Sequence, residues 1–283
     1  PIDFLSKIKV FFTISLVLIA AGLITIGVNA GRGNGAFAYS LEFQGGTSTN
    51  VTFDKDYSID EIDKEIVPVV EKVTGDNNVQ TQKVAGTNQV IIKTVTLDLD
   101  KREALNKAMV DNFGVDESKI TAENISSTVS NEMRRDAVIA VVIATICMLL
   151  YIWFRFKDIR FATSAVLALL HDVLVVVGFY AIARISVGNT FIACMLTIVG
   201  YSINATIVIF DRIREEMRGK TKSSDVAAVV NKSITQTLTR SIYTSLTTFI
   251  MVAVLYVMGV SSIKEFALPL MVGVVCGAYS SVC

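Results

Sequence analysis

The chain has 283 residues, 52% of them hydrophobic, with a mean hydropathy of +0.55. That is too apolar for an ordinary soluble domain and points to a polytopic membrane protein. The net charge of zero hides an asymmetry: residues 38–133 hold 17 acidic and 9 basic side chains, a balance of −8, and the remainder carries +8. An acidic polar segment on a basic membrane part argues against nucleic acid as a partner.

Position 1 is not a methionine, and the last apolar run reaches Cys283 without a polar flank. The expectation is a piece of a longer chain, the second half of a fused one. Six stretches are long and uncharged enough to cross a membrane: 10–28, 137–154, 161–183, 190–210, 241–258 and 266–283. About 18 to 25 apolar residues span a hydrocarbon core of about 30 Å. The first lacks a small-residue cleavage site and reads as a retained helix within 1–30.

Residues 31–35 form a short Gly-rich connector. Beyond it, 39–53 has strand character interrupted by Gly45-Gly46, and Ile59, Ile62, Ile66, Val69 and Val73 mark an amphipathic helix. Residues 79–85 and 89–96 read as strands joined through Gly86-Thr87-Asn88, a hairpin signal. A second helix, 100–113, turns Leu105 and Met109 inward, and 119–125 makes a last strand. The succession β-α-β-β-α-β is the ferredoxin-like split βαβ pattern, which hosts many unrelated functions.

The expected fold class is an α-helical polytopic membrane protein of six spans with an inserted α+β ferredoxin-like extracytoplasmic domain at 31–133. A five-helix transmembrane bundle follows at 134–283, with a cytoplasmic loop at 211–234. Lys7, Lys9, Arg155, Lys157, Arg160 and the basic run from Arg212 to Lys222 lie on one side, against Arg184 and Lys264 on the other. By the positive-inside rule both termini are cytoplasmic and the inserted domain is outside. Arg134 and Arg135 oppose the rule but flank a folded domain, where it is weak. Residues 220–232 read equally as an amphipathic surface helix or a solvated linker helix. The four cysteines (Cys147, Cys194, Cys276, Cys283) all lie in spans, so no disulfide framework, metal site or cofactor is indicated.

The stretch 197–216 carries a polar stripe through an apolar helix. Tyr201, Asn204, Val208 and Asp211 share one face. Asn204 sits about 10 Å along the axis from Asp211, so if Asp211 marks the surface, Asn204 is a buried amide needing a partner. An amide joining two helices satisfies that need. His171 and Asp172 fall in the middle of the third span, where an ionisable pair reads either as a functional site or as a His–Asp lock between helices. Arg240 opens the fifth span and by itself reads as a snorkelling surface arginine.

Five motifs in order resemble the SecD/SecF protein-export family of the RND superfamily, on the SecF side. They are Leu41-Glu42-Phe43-Gln44-Gly45-Gly46-Thr47, Leu170-His171-Asp172, Gly200-Tyr201-Ser202-Ile203-Asn204 with Phe210-Asp211-Arg212-Ile213-Arg214-Glu215, Thr235-Gln236-Thr237-Leu238-Thr239-Arg240, and Tyr279-Ser280-Ser281. The resemblance makes Phe43, Gly45, Gly46 and Thr47 the entrance to the soluble domain, and His171, Asp172, Asn204, Asp211 and Arg240 the intramembrane polar or ion-coupling set. It implies a non-enzymatic multi-pass subunit in a bacterial or archaeal cytoplasmic membrane that assists Sec-dependent translocation on the ion gradient, H⁺ or Na⁺. The partners it implies are SecD, separate or fused upstream, the Sec translocon channel, unfolded preprotein and membrane lipid.

One departure stands out. The family pattern has an aspartate after the asparagine and this chain has Ala205; Ser241 follows Arg240 where threonine is usual. The resemblance gives that carboxylate a proton-coupling role with the arginine, so here the titrating group has to lie on SecD or on Asp172. The alternative is half of another RND-type exporter, of lipid or small molecules. An intramembrane enzyme using Asp172 and Asp211 is disfavoured, since the two lie at different depths and no G-x-S-x-G, H-E-x-x-H or Walker A motif is present.

Overall fold

The computed structural model describes residues 3–32, 35–77, 79–84, 86–218, 225–259 and 261–282. Two compact units emerge, Tyr39–Ala137 and, in two pieces, Pro1–Ala38 with Val138–Cys283. Helix α1 (Ile8–Gly31) belongs to the second.

The Tyr39–Ala137 unit begins with a helical turn, α2 (Leu41–Gln44), followed by β1 (Gly46–Thr52). Here the structure corrects the strand expected over 39–53. Residues 41–44 coil because Ser40 stays extended as their cap and Gly45 reverses the chain behind them at φ +75°. The next helix starts at a capping box in which Ser58 and Glu61 satisfy each other's backbone donors. Hydrogen bonds from Lys55, and then from Ser58, hold the Glu61 carboxyl down at about 2.

That helix runs as α3 (Ile59–Glu61), a π-turn (Ile62–Ile66) and α4 (Val67–Thr74). Pro68 has no N–H to return to the preceding turn, and the widened segment lies just before it. β2 (Gln80–Lys83), β3 (Gln89–Thr94), α5 (Leu99–Phe113) and β4 (Ile120–Ile125) complete the unit.

The sheet order is β2-β3-β1-β4, antiparallel throughout. Alternation along the strands sends Val51, Val90 and Ile92 to one face, where the helices contribute Ile62, Ile66, Val70, Leu105 and Met109, all essentially without exposure. Phe53, Tyr57 and Phe113 close one end edge to face, with ring centroids 5.0 to 6.2 Å apart.

Beyond the insert come α6 (Ser127–Phe156), α7 (Ile159–Ala183), α8 (Asn189–Met217), α9 (Val226–Met258) and α10 (Ser261–Val282). With α1 these are six helices long and apolar enough to span among the described residues. The molecule is therefore mostly helical and multi-pass. α7, α8 and α10 bury much of their length against one another, whereas α1, α6 and α9 leave wide apolar faces uncovered.

Several boundaries differ from expectation. The helix of the second span begins at Ser127, so Arg134 and Arg135, at the edge of the folded unit, already lie in α6. Most of the loop expected at 211–234 is helix, since α8 continues to Met217 and α9 starts at Val226. Residues 33–34, 78, 85, 219–224 and Cys283 lie outside the described residues, and with them parts of the connector at 31–35, the strand at 79–85 and the surface helix at 220–232.

α1 packs on α7 at Gly22 and Gly178, so closely that a Cβ built on Gly22 meets the Gly178 Cα at 2.6 Å. At the other end of the membrane unit, the backbone N–H groups of Phe4 and Leu5 donate to Asn231 Oδ1 of α9 at 3.1 and 3.3 Å. The Asn231 amide in turn donates to Asp3 at 2.9 Å.

Candidate functional site

Asp172 lies 13 residues into α7, about 20 Å along its axis, and none of its surface is exposed. A bare charge at that depth costs at least about 2.5 kcal/mol, so its surroundings decide whether it is tolerated. Ser202 of α8 donates to Asp172 Oδ2 at 2.5 Å, and Ser280 of α10 donates to the same oxygen at 2.8 Å. Oδ1 faces His171 Nδ1 at 2.9 Å. Since a carboxylate only accepts, the Nδ1 position is the donor when Asp172 is ionised.

The His171 ring lies beside Tyr279 of α10, with centroids 5.9 Å apart and planes tilted by 31°. The Tyr279 hydroxyl donates to the Phe11 carbonyl of α1 at 2.7 Å, and Ser15 of α1 donates to that hydroxyl at 3.4 Å. A polar chain therefore joins α1, α7, α8 and α10 in the middle of the bundle. The imidazole Nε2 is buried and has no hydrogen-bond partner among the described residues. No group of side chains suited to a metal ion occurs there or elsewhere among those residues.

The other candidates do not join this cluster. Tyr201, Asn204, Val208 and Asp211 do share the less buried flank of α8, and Asn204, expected to need a partner at membrane depth, is exposed there on this chain. The buried face of α8 is instead set by Ile198, Val199, Ser202, Ile203, Thr206 and Ile209. Arg240 on α9 is exposed as well. Tyr201 donates to Ser245 at 2.7 Å and Arg212 to Gln236 at 2.7 Å, so the α8–α9 contacts bracket Asn204 and Arg240 along their shared flank.

Asp211 pairs with Arg155 at 3.1 Å, both half exposed. Beside them Arg212 holds Glu215 and Glu216, and Lys232 reaches Glu216 at 2.8 Å. This is a charged rim at the helix ends.

The motif at 41–47 is architectural in its contacts. Phe43 is buried and its carbonyl accepts from Arg134. Thr47 Oγ1 donates to Asn124 at 2.5 Å and accepts from the Leu97 N–H at 2.8 Å, tying β1 to β4 and to the start of α5. Gly46 sits at φ +135°, where an added Cβ would lie 2.3 Å from the Thr94 carbonyl oxygen.

Ser202, Ser280, Tyr279 and Ser15 were not singled out as site residues by sequence reasoning. Ser202 and Ser280 fell within motifs, but a lone serine in an apolar helix gives no sign of which neighbour it meets. The only available signal was that Ser202 and Thr206 lie four apart on the apolar face of α8.

A family model described as Protein export membrane protein SecD/SecF, C-terminal, matches residues 105–283. The chain is 35% identical to Protein translocase subunit SecF of Petrotoga mobilis, covering 99% of this chain and 92% of that one. It is 33% identical to the SecF subunit of Vibrio alginolyticus, covering 99% and 86%. With Protein translocase subunit SecDF of Bacillus subtilis the identity is 36%, over 99% of this chain and 36% of that one. The crystal structure of SecDF from Thermus thermophilus, a translocon-associated membrane protein, superposes with a TM-score of 0.82 at 31% identity. There the match covers 99% of this chain and 37% of the SecDF chain, so the chain spans about a third of the fused proteins it matches.

Proposed function

The chain belongs to the SecD/SecF family of protein-export membrane proteins as a SecF-like translocase subunit, and from that premise we propose that it works as one half of a SecD–SecF pair. The pair assists Sec-dependent passage of unfolded preprotein across the cytoplasmic membrane on the energy of the ion gradient, and catalyses no covalent reaction. The translocon channel and lipid are its further partners. The inserted unit is a ferredoxin-like domain on the outer side: its strand order and β-α-β-β-α-β succession support that reading.

The observation that carries the pairing is the flank shared by Asn204 and Arg240. Both are exposed, with no side-chain partner among the described residues, beside the apolar surface of Ile242, Tyr243 and Leu246. A guanidinium that opens an apolar helix surface needs a counter-charge or a route to water, and Ala205 supplies no carboxylate. In this reading SecD covers the flank and presents the acid that Arg240 holds. Pseudo-symmetric halves meeting at the membrane midplane suit alternating, gradient-driven motion.

The test is export driven by an imposed gradient in vesicles carrying the wild-type or Arg240→Ala complex. Export is expected to fall by about tenfold, the scale of a lost charge pair. Export at the wild-type rate would leave Arg240 as a snorkelling anchor and remove the basis for the pairing.

The orientation follows from the basic-loop asymmetry. In a cysteine-free background, Asn77→Cys is expected to react with an impermeant maleimide from outside and Val226→Cys from the cytoplasmic side. Labelling of both from the same side would end the six-span arrangement.

A further inference from the structure

We propose that the inserted unit holds a binding site for an extended peptide, in a cavity at the end of β3 beside the turn α2, and reads that peptide through its main chain. The inference rests on the reading that the pair handles unfolded chain, and deepens it by placing one site on this subunit. Its test uses neither SecD nor an ion gradient, so it stands or falls separately from the pairing through Arg240.

The cavity measures about 250 Å³, and every residue lining it belongs to the inserted unit. That exceeds the ~150 Å³ that admits a benzene ring and falls short of the ~300 Å³ at which sites for drug-sized ligands begin. The volume suits a side chain with its flanking peptide groups better than a whole cofactor.

Part of the lining is a strand that outruns its neighbour. β2 pairs with β3 from Lys83 opposite Val90 to Gln80 opposite Lys93. Past that pair the chain runs on through Thr94, Val95 and Thr96, all of which line the cavity. Among the described residues Val95 has no strand partner, and side chains stand in for one. Its N–H donates to Asp76 Oδ2 at 2.8 Å, and its carbonyl accepts from the Thr94 hydroxyl at 3.1 Å. A strand end without a neighbour invites an added strand: main-chain bonds give affinity, and a pocket receives alternate side chains.

The chemistry of the lining selects the ligand. Gln44 and Gln80 each bring an amide that both donates and accepts, the complement of a peptide group. Lys93 and Asp76 carry opposite charges, so the cavity is not built for an ion of either sign. Leu41 adds apolar surface, and Val95 stands 52% exposed beside it. A neutral, amide-bearing chain with small apolar side chains matches all of these groups. A phosphate or a sugar leaves Leu41 and Val95 unmatched. Around the cavity, residues 38–133 carry a net charge of −8, which favours a peptide with basic flanks.

The test is fluorescence anisotropy of a tagged decapeptide of alternating valine and threonine with a lysine at each end. It is titrated with the full chain in nanodiscs of neutral lipid, and saturable binding is expected. The same peptide with every valine and threonine amide methylated keeps its side chains but loses their N–H donors, and should bind at least about tenfold more weakly. Val95→Arg places a long charged side chain at the cavity and should weaken binding by about tenfold or more. Ile59→Arg adds the same charge at a position 68% exposed and outside the lining, and should leave binding within about twofold.

Absence of saturable binding to the wild type overturns the site. So does equal binding of the methylated peptide, or an equal loss in Val95→Arg and Ile59→Arg, which would show attraction by charge alone. If Val95→Arg does not fold, Gln80→Ala removes one lining amide and should weaken binding by about threefold or more. Unchanged binding in that variant counts against the site equally.

Discussion

Gly46→Ala is expected to be the most damaging single-methyl change in the inserted unit. The segment 39–137, expressed alone, should melt cooperatively, because it has its own closed core. Alanine at Gly46 must adopt φ +135° and place its Cβ 2.3 Å from the Thr94 carbonyl oxygen, part of the β1–β3 ladder. Conformational strain of about 1–3 kcal/mol adds to a clash that no side-chain rotation relieves, so the total is at least about 3 kcal/mol. In a unit of this size that lowers the melting temperature by on the order of 12 to 24 °C. Gly86→Ala is the control: its φ of +79° carries a similar strain, but nothing lies within 4 Å of the added methyl. It should cost about 1 kcal/mol. If the two variants melt within a few degrees of each other, the close approach at Gly46 is not what the position requires.

The second large effect is expected at the α1–α7 crossing. Gly22 is the only buried residue of α1 among those described, and it meets Gly178 backbone to backbone. Small residues let membrane helices approach this closely and gain dispersion contacts. In Gly178→Leu the helices must separate, a cost at or above the upper end of the usual 1–3 kcal/mol for overpacking. Nearby, the Asn29 amide donates to the Ala181 carbonyl at 3.2 Å. Cysteines placed at Asn29 and Ala181 should therefore cross-link readily in the parent and several-fold less in Gly178→Leu. Gly200→Leu, which opens onto empty space, should leave the yield as it was. An undiminished yield in Gly178→Leu would mean that α1 is held by something other than this contact.

What was legible in the sequence follows the range of the forces involved. Spanning helices declare themselves through hydropathy, which is local and additive, and all six were placed by it. The strands and helices of the insert showed through their periodicity, down to Leu105 and Met109 on the inner face of α5. The turn at Leu41–Gln44 did not show, because Leu-Glu-Phe-Gln has no preference strong enough to announce a single helical turn. What fixes that turn is the reversal at Gly45 and the contact between Phe43 and Arg134, 91 residues away.

The polar residues divide the same way. His171 and Asp172 stood out as charges in an apolar span, and the structure does bring them to 2.9 Å. Their serine partners could not be read, since they come from helices 30 and 108 residues further on. Asn204 was placed at membrane depth with a partner to find, and depth does not say on which flank of α8 that partner lies. Which flank of α8 faces inward is decided by the packing of α7 and α10, a property of three helices together and of no single one.

The cap that Asn231 places on the turn leading into α1 has a consequence for how the protein is made. Phe4 and Asn231 are 227 residues apart. At translation speeds of about 5–20 residues per second, on the order of 10 to 45 s separate their emergence from the ribosome. Throughout that interval α1 is already in the membrane with its first amides bound only to water or to lipid headgroups. The turn that leads into α1 is thus finished only when the fifth of these six helices arrives, so the first of the six to be made is among the last to be locked. Truncated or stalled nascent chains that stop short of Asn231 should leave that end accessible to proteases and quality-control factors, and the completed chain should close it.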